Sequence, residues 1–136
     1  MPFIHARTIR LADTDAAGVV YFPRTLSICH EAYEAALLAA GIDLKAYFAA
    51  SDGLTVPIVR SEADYLRPLF AGDRIEISVS PTRISEHGFA LAFEIARIGP
   101  PRKTAARVRT EHVCISANTR ERCPLSPLLA GWVDRG

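Results

Sequence analysis

The chain has 136 residues, of which 49% are hydrophobic and 23% are charged, and its formal net charge is +1. This length and balance are typical of a soluble globular protein, so we expect residues 1–136 to form a single domain. A net charge near zero gives no electrostatic reason to expect nucleic acid as a partner. No apolar stretch approaches the roughly 18–20 residues that a membrane span requires, so no span is predicted.

The cysteines predict neither a disulfide framework nor a zinc site. Cys29, Cys114 and Cys123 are odd in number and form no C-x-x-C pair, as a reduced intracellular protein would have. The first residues lack a basic region followed by an apolar one, so they predict no signal peptide. We therefore expect a cytoplasmic protein, and no spacing of histidine, cysteine or acidic residues indicates a bound metal.

The first third of the chain predicts a strand, a loop and one long helix. Alternation over residues 5–11 predicts a strand with Ile9 and Leu11 on one face,. Residues 23–40 predict a helix, because Pro23 suits its first turn and Gly41 suits the position after its end. Apolar residues recur at three- and four-residue steps on one helix face: Leu26, Cys29, Tyr33, Leu37 and Ala40,.

The rest of the chain predicts a short helix and then strands. The helix covers residues 44–50, and a strand covers residues 55–65, in which Pro57 indicates an edge or a bulge,. Alternating apolar residues predict further strands near residues 75–80 and 89–95, and a final long strand over residues 105–117. The order predicts an α+β fold in which a single long helix covers an antiparallel sheet.

The small number of elements predicts an oligomer. One helix and one sheet leave a limited core, and we expect the second sheet face to carry apolar residues as well. Pairing with a second copy would bury more of this surface, so we predict a homo-oligomer.

The segment DTDAAGVVYFP, residues 13–23, carries the strongest functional signal. Asp15 can reach a carbonyl carbon, and free amides at the start of a helix can bind the oxygen that becomes negative. The alternative is an ordinary turn, in which an aspartate only caps the helix. The candidate amide donors are those of Tyr21, Phe22 and Arg24, since Pro23 has no N–H,.

Other candidate sites have weaker signals. His30 lies on the helix, where a lone histidine is more often a surface or core residue than a ligand contact. A basic cluster after residue 101 is typical either of a solvated strand face or of a contact with a ligand phosphate. The cluster consists of Arg102, Lys103, Arg107 and Arg109.

Residues 13–23, followed by a helix of this length, resemble the 4-hydroxybenzoyl-CoA thioesterase family of hotdog-fold proteins. The sequence YLRP at residues 65–68, followed by Gly72 and Asp73, resembles the strand break of the same fold. The resemblance covers residues 8–115 and implies a long helix wrapped by an antiparallel sheet. It also implies dimers that pair their sheets edge to edge, often assembled as tetramers, with active sites at the dimer interface.

The resemblance implies roles for residues of the motif. The catalytic carboxylate of the family matches Asp15, which would act as a nucleophile through a mixed anhydride or as a base for water. The backbone amide of Phe22 would polarise the thioester carbonyl. Independently of the resemblance, the positions of Tyr21 and Phe22 in the motif indicate an apolar or aromatic pocket lining, which makes Tyr21 a candidate substrate contact. The substrate would be an acyl-CoA; because CoA is part of it, no separate cofactor is implied.

The chain departs from the family pattern at three places. Phe22 stands where Tol–Pal-type acyl-CoA thioesterases carry a histidine, which argues against a histidine-assisted mechanism. His30 stands where the 4-hydroxybenzoyl-CoA enzymes carry an acid that meets the ring hydroxyl. The sequence SEH at residues 85–87 replaces their basic triplet that grips the nucleotide, so the nucleotide contacts stay unassigned.

The helix sequence LSICHEAYE, residues 26–34, resembles that of cyanobacterial 1,4-dihydroxy-2-naphthoyl-CoA thioesterases, which serve phylloquinone (vitamin K1) biosynthesis. This implies an aromatic CoA thioester as substrate, with His30 contacting a phenolic oxygen of a bicyclic acyl group. Two alternatives stay open: an acyl-CoA thioesterase of broad or 4-hydroxybenzoyl specificity, and a non-catalytic hotdog binding or scaffold protein. Asp15 beside a helix start favours the enzymes.

Overall fold

A five-stranded antiparallel sheet forms the centre of the computed structural model, which describes residues 2–136. The elements in chain order are β1 (Phe3–Thr8), α1 (Phe22–Ala39), α2 (Leu44–Phe48), β2 (Leu54–Thr55), β3 (Ile58–Tyr65), β4 (Arg74–Arg83), β5 (Gly88–Arg97), β6 (Lys103–Val113), β7 (Ile115–Ser116) and α3 (Pro127–Arg135). The main sheet has the order β1-β4-β5-β6-β3, and β2 pairs separately with β7.

Helix α1 lies across one face of the sheet and buries a continuous apolar side, as its three- and four-residue spacing predicts,. On β4, Ile75, Ile77 and Val79 are fully buried, and they alternate with half-buried Glu76 on the opposite face,. Gly41 follows the end of α1 with φ +82°, a conformation that glycine adopts without strain,. The predicted α+β class and the long helix wrapped by an antiparallel sheet are confirmed.

One element differs from its prediction, and another was not predicted. The first strand ends at Thr8, and Leu11 begins a short 3-10 turn with its side chain 81% exposed, so it does not share a buried face with Ile9. The chain also ends in a helix, α3, where no helix was predicted. Ser126 caps α3 by accepting a hydrogen bond from the Leu129 amide. No helix within residues 2–136 has the length and apolar character needed to cross a bilayer.

The second face of the sheet is polar, so the expectation of apolar residues there is wrong. Residues on that face alternate with the buried ones and are mostly charged, hydroxyl-bearing or small. The three arginines of the basic cluster each form an ion pair with a carboxylate: Arg102 with Glu76, Arg107 with Glu94, and Arg109 with Glu111. These pairs favour the solvated strand face over a contact with a ligand phosphate.

Strand β3 lies at the edge of the sheet, as Pro57 indicated. It pairs only with β6 among the described strands, and the pairing register shifts between Ile58 and Arg60. Its free edge carries exposed apolar side chains near its two ends, with Val59 60% exposed and Tyr65 53% exposed, and polar residues between them. An unpaired edge with exposed apolar side chains is a surface on which a further chain can add.

Candidate active site

Asp13 anchors the loop that leads into α1. Its carboxylate is 1% exposed and accepts hydrogen bonds from the Arg7 and Arg24 guanidinium groups and from the Arg10 amide. Burial alone would raise the pKa of Asp13, but these three donors outweigh it and hold the pKa below its usual value,. The Asp13 carbonyl also accepts a hydrogen bond from the Tyr21 amide at 2.9 Å. Asp13 therefore joins the two ends of the loop.

A tight turn inside this loop presents Asp15. The Gly18 amide donates to the Asp15 carbonyl at 2.9 Å, and the Asp15 amide donates to the Val19 carbonyl at 3.0 Å. Gly18 has φ +82°, which a residue with a side chain adopts only with strain,. Within residues 2–136 the Asp15 carboxylate accepts only the Ala17 amide, at 2.8 Å, and it stays exposed. Its remaining lone pairs are free to act on a substrate.

The Phe22 amide is the free donor among the three candidates at the start of α1. The Tyr21 amide donates to the Asp13 carbonyl, and the Arg24 amide donates to the Tyr21 carbonyl at 2.8 Å. The Phe22 amide has no acceptor in the described part of the chain. Because the helix dipole places partial positive charge at this end, the amide is suited to an oxygen that gains negative charge.

Asp15 and Phe22 line the same cavity, which we call the Asp15 cavity and which has a volume of about 370 Å³. Its other walls are mostly apolar and include Ile28 of α1 and residues 65–69. The Tyr65 hydroxyl donates to the Phe22 carbonyl at 3.2 Å, which ties the first turn of α1 to the edge strand. A carboxylate, a free amide and apolar walls together can bind an acyl group and attack its carbonyl.

Sequence reasoning identified residues 65–68 only as a strand break and missed that they line this cavity. Their place directly after the edge strand was the available signal. Tyr21, predicted to contact substrate, does not line the cavity; it is 49% exposed, and its ring centroid lies 5.5 Å from that of Phe22.

His30 lies in a different place from Asp15. It is roughly two helical turns further along α1 than Phe22 and lines a second cavity of about 200 Å³ with Tyr33, Tyr47 and His112, which we call the His112 cavity. One protomer therefore brings Asp15 and Phe22 together but does not bring His30 to them. His112 was not singled out from the sequence as a site residue, although the alternation of β6 turns it inward.

The cysteines lie apart from this chemistry. Cys29, Cys114 and Cys123 are all free thiols. Burial raises the pKa of Cys29 to about 12, so this thiol is not a nucleophile near neutral pH,. Within residues 2–136, no three or more histidine, cysteine or acidic side chains are arranged to hold a metal ion.

The sequence matches the family described as the Thioesterase-like superfamily over residues 9–133. It is 48% identical over 129 residues to a 1,4-dihydroxy-2-naphthoyl-CoA hydrolase of Rippkaea orientalis, covering 95% of this chain and 93% of that protein. A hydrolase of the same name from Synechococcus elongatus is 45% identical over 128 residues, covering 94% of this chain and 92% of that protein.

Solved structures show the same relationship. The crystal structure of a 1,4-dihydroxy-2-naphthoyl-CoA thioesterase from Synechocystis superposes with a TM-score of 0.92 at 34% identity, covering 98% of this chain and 96% of that one. A 4-hydroxybenzoyl-CoA thioesterase in complex with 4-hydroxybenzoyl-CoA gives a TM-score of 0.85 at 14% identity, covering 97% and 98%. The second similarity is one of fold alone.

Proposed function

The chain belongs to the Thioesterase-like superfamily, and on that basis we propose that it hydrolyses an aromatic CoA thioester, namely 1,4-dihydroxy-2-naphthoyl-CoA. The observation that carries the proposal is the placement of the Asp15 carboxylate and the free Phe22 amide in one cavity at the start of α1. Relatives with that hydrolase name, 45% and 48% identical, support the choice of acyl group.

The proposed reaction begins with binding of the thioester carbonyl oxygen to the Phe22 amide. Negative charge that builds on this oxygen is stabilised by the amide and by the positive end of the α1 dipole. Asp15 then either attacks the carbonyl carbon or removes a proton from a water molecule that attacks it. In both routes the C–S bond breaks, and CoA leaves as a thiol once its sulfur takes up a proton.

The two routes differ in how Asp15 is restored. In the nucleophilic route a mixed anhydride forms, and water must hydrolyse it. A single turnover in ¹⁸O-enriched water tests for the anhydride. Label found in the Asp15 carboxylate identifies an anhydride opened at its aspartyl carbonyl. Label found only in the product acid fits direct attack by water and equally an anhydride opened at its acyl carbonyl.

We also propose that a second copy of the chain completes the site. Antiparallel pairing of two β3 edges about a two-fold axis would place the Ile58 end of one strand beside the Tyr65 end of the other. Tyr65 lines the Asp15 cavity, and Ile58 lines the His112 cavity. Such a dimer would join the Asp15 cavity of one protomer to the His112 cavity of its partner. His30 of that partner would then lie near the acyl group.

The mechanism requires no group beyond the protein and water. A carboxylate supplies the nucleophile or base, and an amide stabilises the oxyanion, so we propose that no metal or cofactor takes part. Assembly of the dimers into a tetramer and a place in phylloquinone biosynthesis stay predictions of the family resemblance, and a cytoplasmic location stays a prediction from the cysteines and the first residues.

A comparison of substrates tests the proposed function. We would measure kcat/KM for 1,4-dihydroxy-2-naphthoyl-CoA, 4-hydroxybenzoyl-CoA and a short aliphatic acyl-CoA. We expect the naphthoyl ester to be preferred by about tenfold or more, because a hydrogen-bonding pocket rejects acyl groups that leave its polar groups unpaired. Equal values would contradict the substrate. Failure to hydrolyse any thioester would contradict the enzyme and favour a binding or scaffold protein.

The dimer has its own test in the two edge strands. Val59→Asp places a charge on the β3 edge, and Ile4→Asp places one on the opposite edge, β1, where Ile4 is 44% exposed. We expect sedimentation to show a dimer, or a tetramer built from it, for the unmodified protein and for Ile4→Asp, and a shift towards monomer with reduced activity for Val59→Asp. A monomeric, fully active unmodified protein would exclude the composite site.

A further inference from the structure

The His112 cavity lies between the middle of α1, the helix α2, and the adjoining ends of β3 and β6. Its volume of about 200 Å³ exceeds the roughly 150 Å³ of an engineered protein cavity that accepts benzene. Much of its wall is aromatic, with Tyr33, Tyr47 and Phe48 among the lining residues. The space therefore suits an aromatic ring.

His112 is the most deeply buried polar residue of this wall, with 1% exposure. Its ring stacks on Phe89 with centroids 4.7 Å apart and planes 5° from parallel, and its Nε2 lies 2.8 Å from the Thr110 hydroxyl. Within residues 2–136, its Nδ1 has no hydrogen-bond partner. A buried polar atom without a partner is unfavourable, so this atom is set up to receive one from a bound molecule.

The charge state of the wall limits what that molecule can be. Burial and, to a smaller extent, the nearby His30 lower the pKa of His112 to about 4. The Val56 backbone lies close enough to the ring to raise the pKa slightly, but it forms no hydrogen bond of good geometry with Nδ1. His112 is therefore neutral near pH 7, and its imidazole can donate at one nitrogen and accept at the other. Glu34 at the same cavity disfavours an anionic group. A neutral polar group on an aromatic ring fits these features.

The two tyrosines strengthen the match to a hydroxylated ring. The Tyr33 and Tyr47 hydroxyl oxygens lie 2.6 Å apart. Burial raises the pKa of Tyr33 well above its usual value and raises the pKa of Tyr47 to about 12, so both stay protonated. Because only one of the two protons is used between them, the other O–H remains available as a donor.

We propose that the His112 cavity binds the hydroxyl-bearing aromatic ring of the acyl group, and that His112 Nδ1 forms a hydrogen bond with a ring hydroxyl. His112 would thus be a specificity-determining residue inside the cavity, whereas the exposed His30 stands at its rim. The inference rests on the proposed thioesterase function and on the dimer that brings this cavity to the Asp15 of the other protomer.

The test compares substrates with and without ring hydroxyls. Purified protein and His112→Phe would be assayed with 1,4-dihydroxy-2-naphthoyl-CoA and with 2-naphthoyl-CoA. Phenylalanine keeps the stacking on Phe89 but has no ring nitrogen. We expect kcat/KM for the dihydroxy ester to fall about 10- to 100-fold, the effect of leaving one buried hydrogen-bonding group unsatisfied. The value for 2-naphthoyl-CoA should change by no more than about twofold, because this ester has no ring hydroxyl that would lose a partner.

A matched variant, His5→Phe on β1, where His5 pairs with Glu31 away from both cavities, controls for loss of a histidine and should leave both substrates unaffected. An equal loss on both esters in His112→Phe would show a merely structural role and would overturn the proposal. If the unmodified protein hydrolyses neither ester, the proposed function fails. Whether the His112 cavity binds a hydroxylated ring is then tested separately, by measuring binding to the unmodified protein.

Binding to the unmodified protein keeps the inference testable even where the variant does not fold. Imidazole ¹⁵N resonances would be recorded while 1,4-dihydroxy-2-naphthoate or 2-naphthoate is added. We expect the His112 Nδ1 resonance to move with the dihydroxy acid and to move little with the acid that lacks hydroxyls. The same response to both acids, or no response to either, would exclude the hydrogen bond.

Discussion

The Asp15 cavity and the His112 cavity are built in different ways. Asp15 stands on an exposed turn, and what fixes that turn is the buried carboxylate of Asp13 with its charged partners. His112 stands on a central strand and is held by stacking and by Thr110 in the apolar core. The difference separates two tasks: a reactive group needs access and free lone pairs, whereas a group that distinguishes substrates needs a rigid, neutral surrounding.

Substitution of Asp15 is expected to have the largest effect on turnover. Asp15→Asn removes the nucleophile or base and should lower kcat by about 10³-fold or more. Because the side chain is exposed and accepts only the Ala17 amide in the described chain, the free energy of unfolding should change by no more than about 0.5 kcal/mol. Steady-state kinetics and urea unfolding measure the two quantities. Unchanged turnover would remove the proposed mechanism.

Asp13→Asn should give the reverse pattern. It leaves Arg7 and Arg24 without a buried carboxylate, so we expect a loss of about 3 kcal/mol in the free energy of unfolding. The effect on kcat should be far smaller than that of Asp15→Asn, by the same assays. A loss of turnover comparable to that of Asp15→Asn, in a folded Asp13→Asn protein, would assign the chemistry to the other aspartate.

The stabilisation by Asp13 should depend on pH. Its folded-state pKa lies below the usual value of 3.8, so the ionised group stabilises the fold above the unfolded-state pKa and loses this effect as the pH falls through the folded-state pKa. Urea unfolding at several pH values should show the largest difference between the unmodified protein and Asp13→Asn near pH 7, and a smaller one below pH 4. A difference that grows in acid would contradict this reading.

A smaller effect is expected at Tyr65, in the wall of the Asp15 cavity. Tyr65→Phe removes one hydrogen bond, at 3.2 Å, from an exposed hydroxyl to the Phe22 carbonyl. The loss should slightly misplace the Phe22 amide and lower kcat about two- to tenfold, with KM nearly unchanged. The free energy of unfolding should fall by no more than about 1 kcal/mol, the contribution of one such bond. A fall in the free energy of unfolding with an unchanged kcat would mean that the bond serves the fold alone.

The sequence was sufficient for the parts of the fold that depend on local patterns. The helix over residues 23–40 and the alternation near residues 75–80 and 89–95 match α1, β4 and β5 closely. The helix α3 was missed, although Ser126 and Pro127 form a recognisable helix start. Its burial against the sheet, with Trp132 edge-on to Phe89, depends on residues distant in sequence.

For the candidate site too, the sequence predicted the groups that are neighbours in the chain and missed those brought together by folding. The motif of residues 13–23 identified Asp15 and the amides of the helix start, because those groups are neighbours in the chain. Which amide is free could not be known, since that depends on where the Asp13 carbonyl and the Tyr21 carbonyl find donors. The unpartnered nitrogen of His112 and its cavity depend on the packing of four elements, which no local pattern contains.

A crystal structure of the Asp15→Asn protein with uncleaved 1,4-dihydroxy-2-naphthoyl-CoA tests the central claim most directly. We predict that the thioester carbonyl oxygen lies about 2.7–3.1 Å from the Phe22 amide nitrogen, with the Asn side chain beside the carbonyl carbon. A carbonyl oxygen bound by other donors, or an acyl group outside the cavity that Asp15 and Phe22 line, would contradict the account.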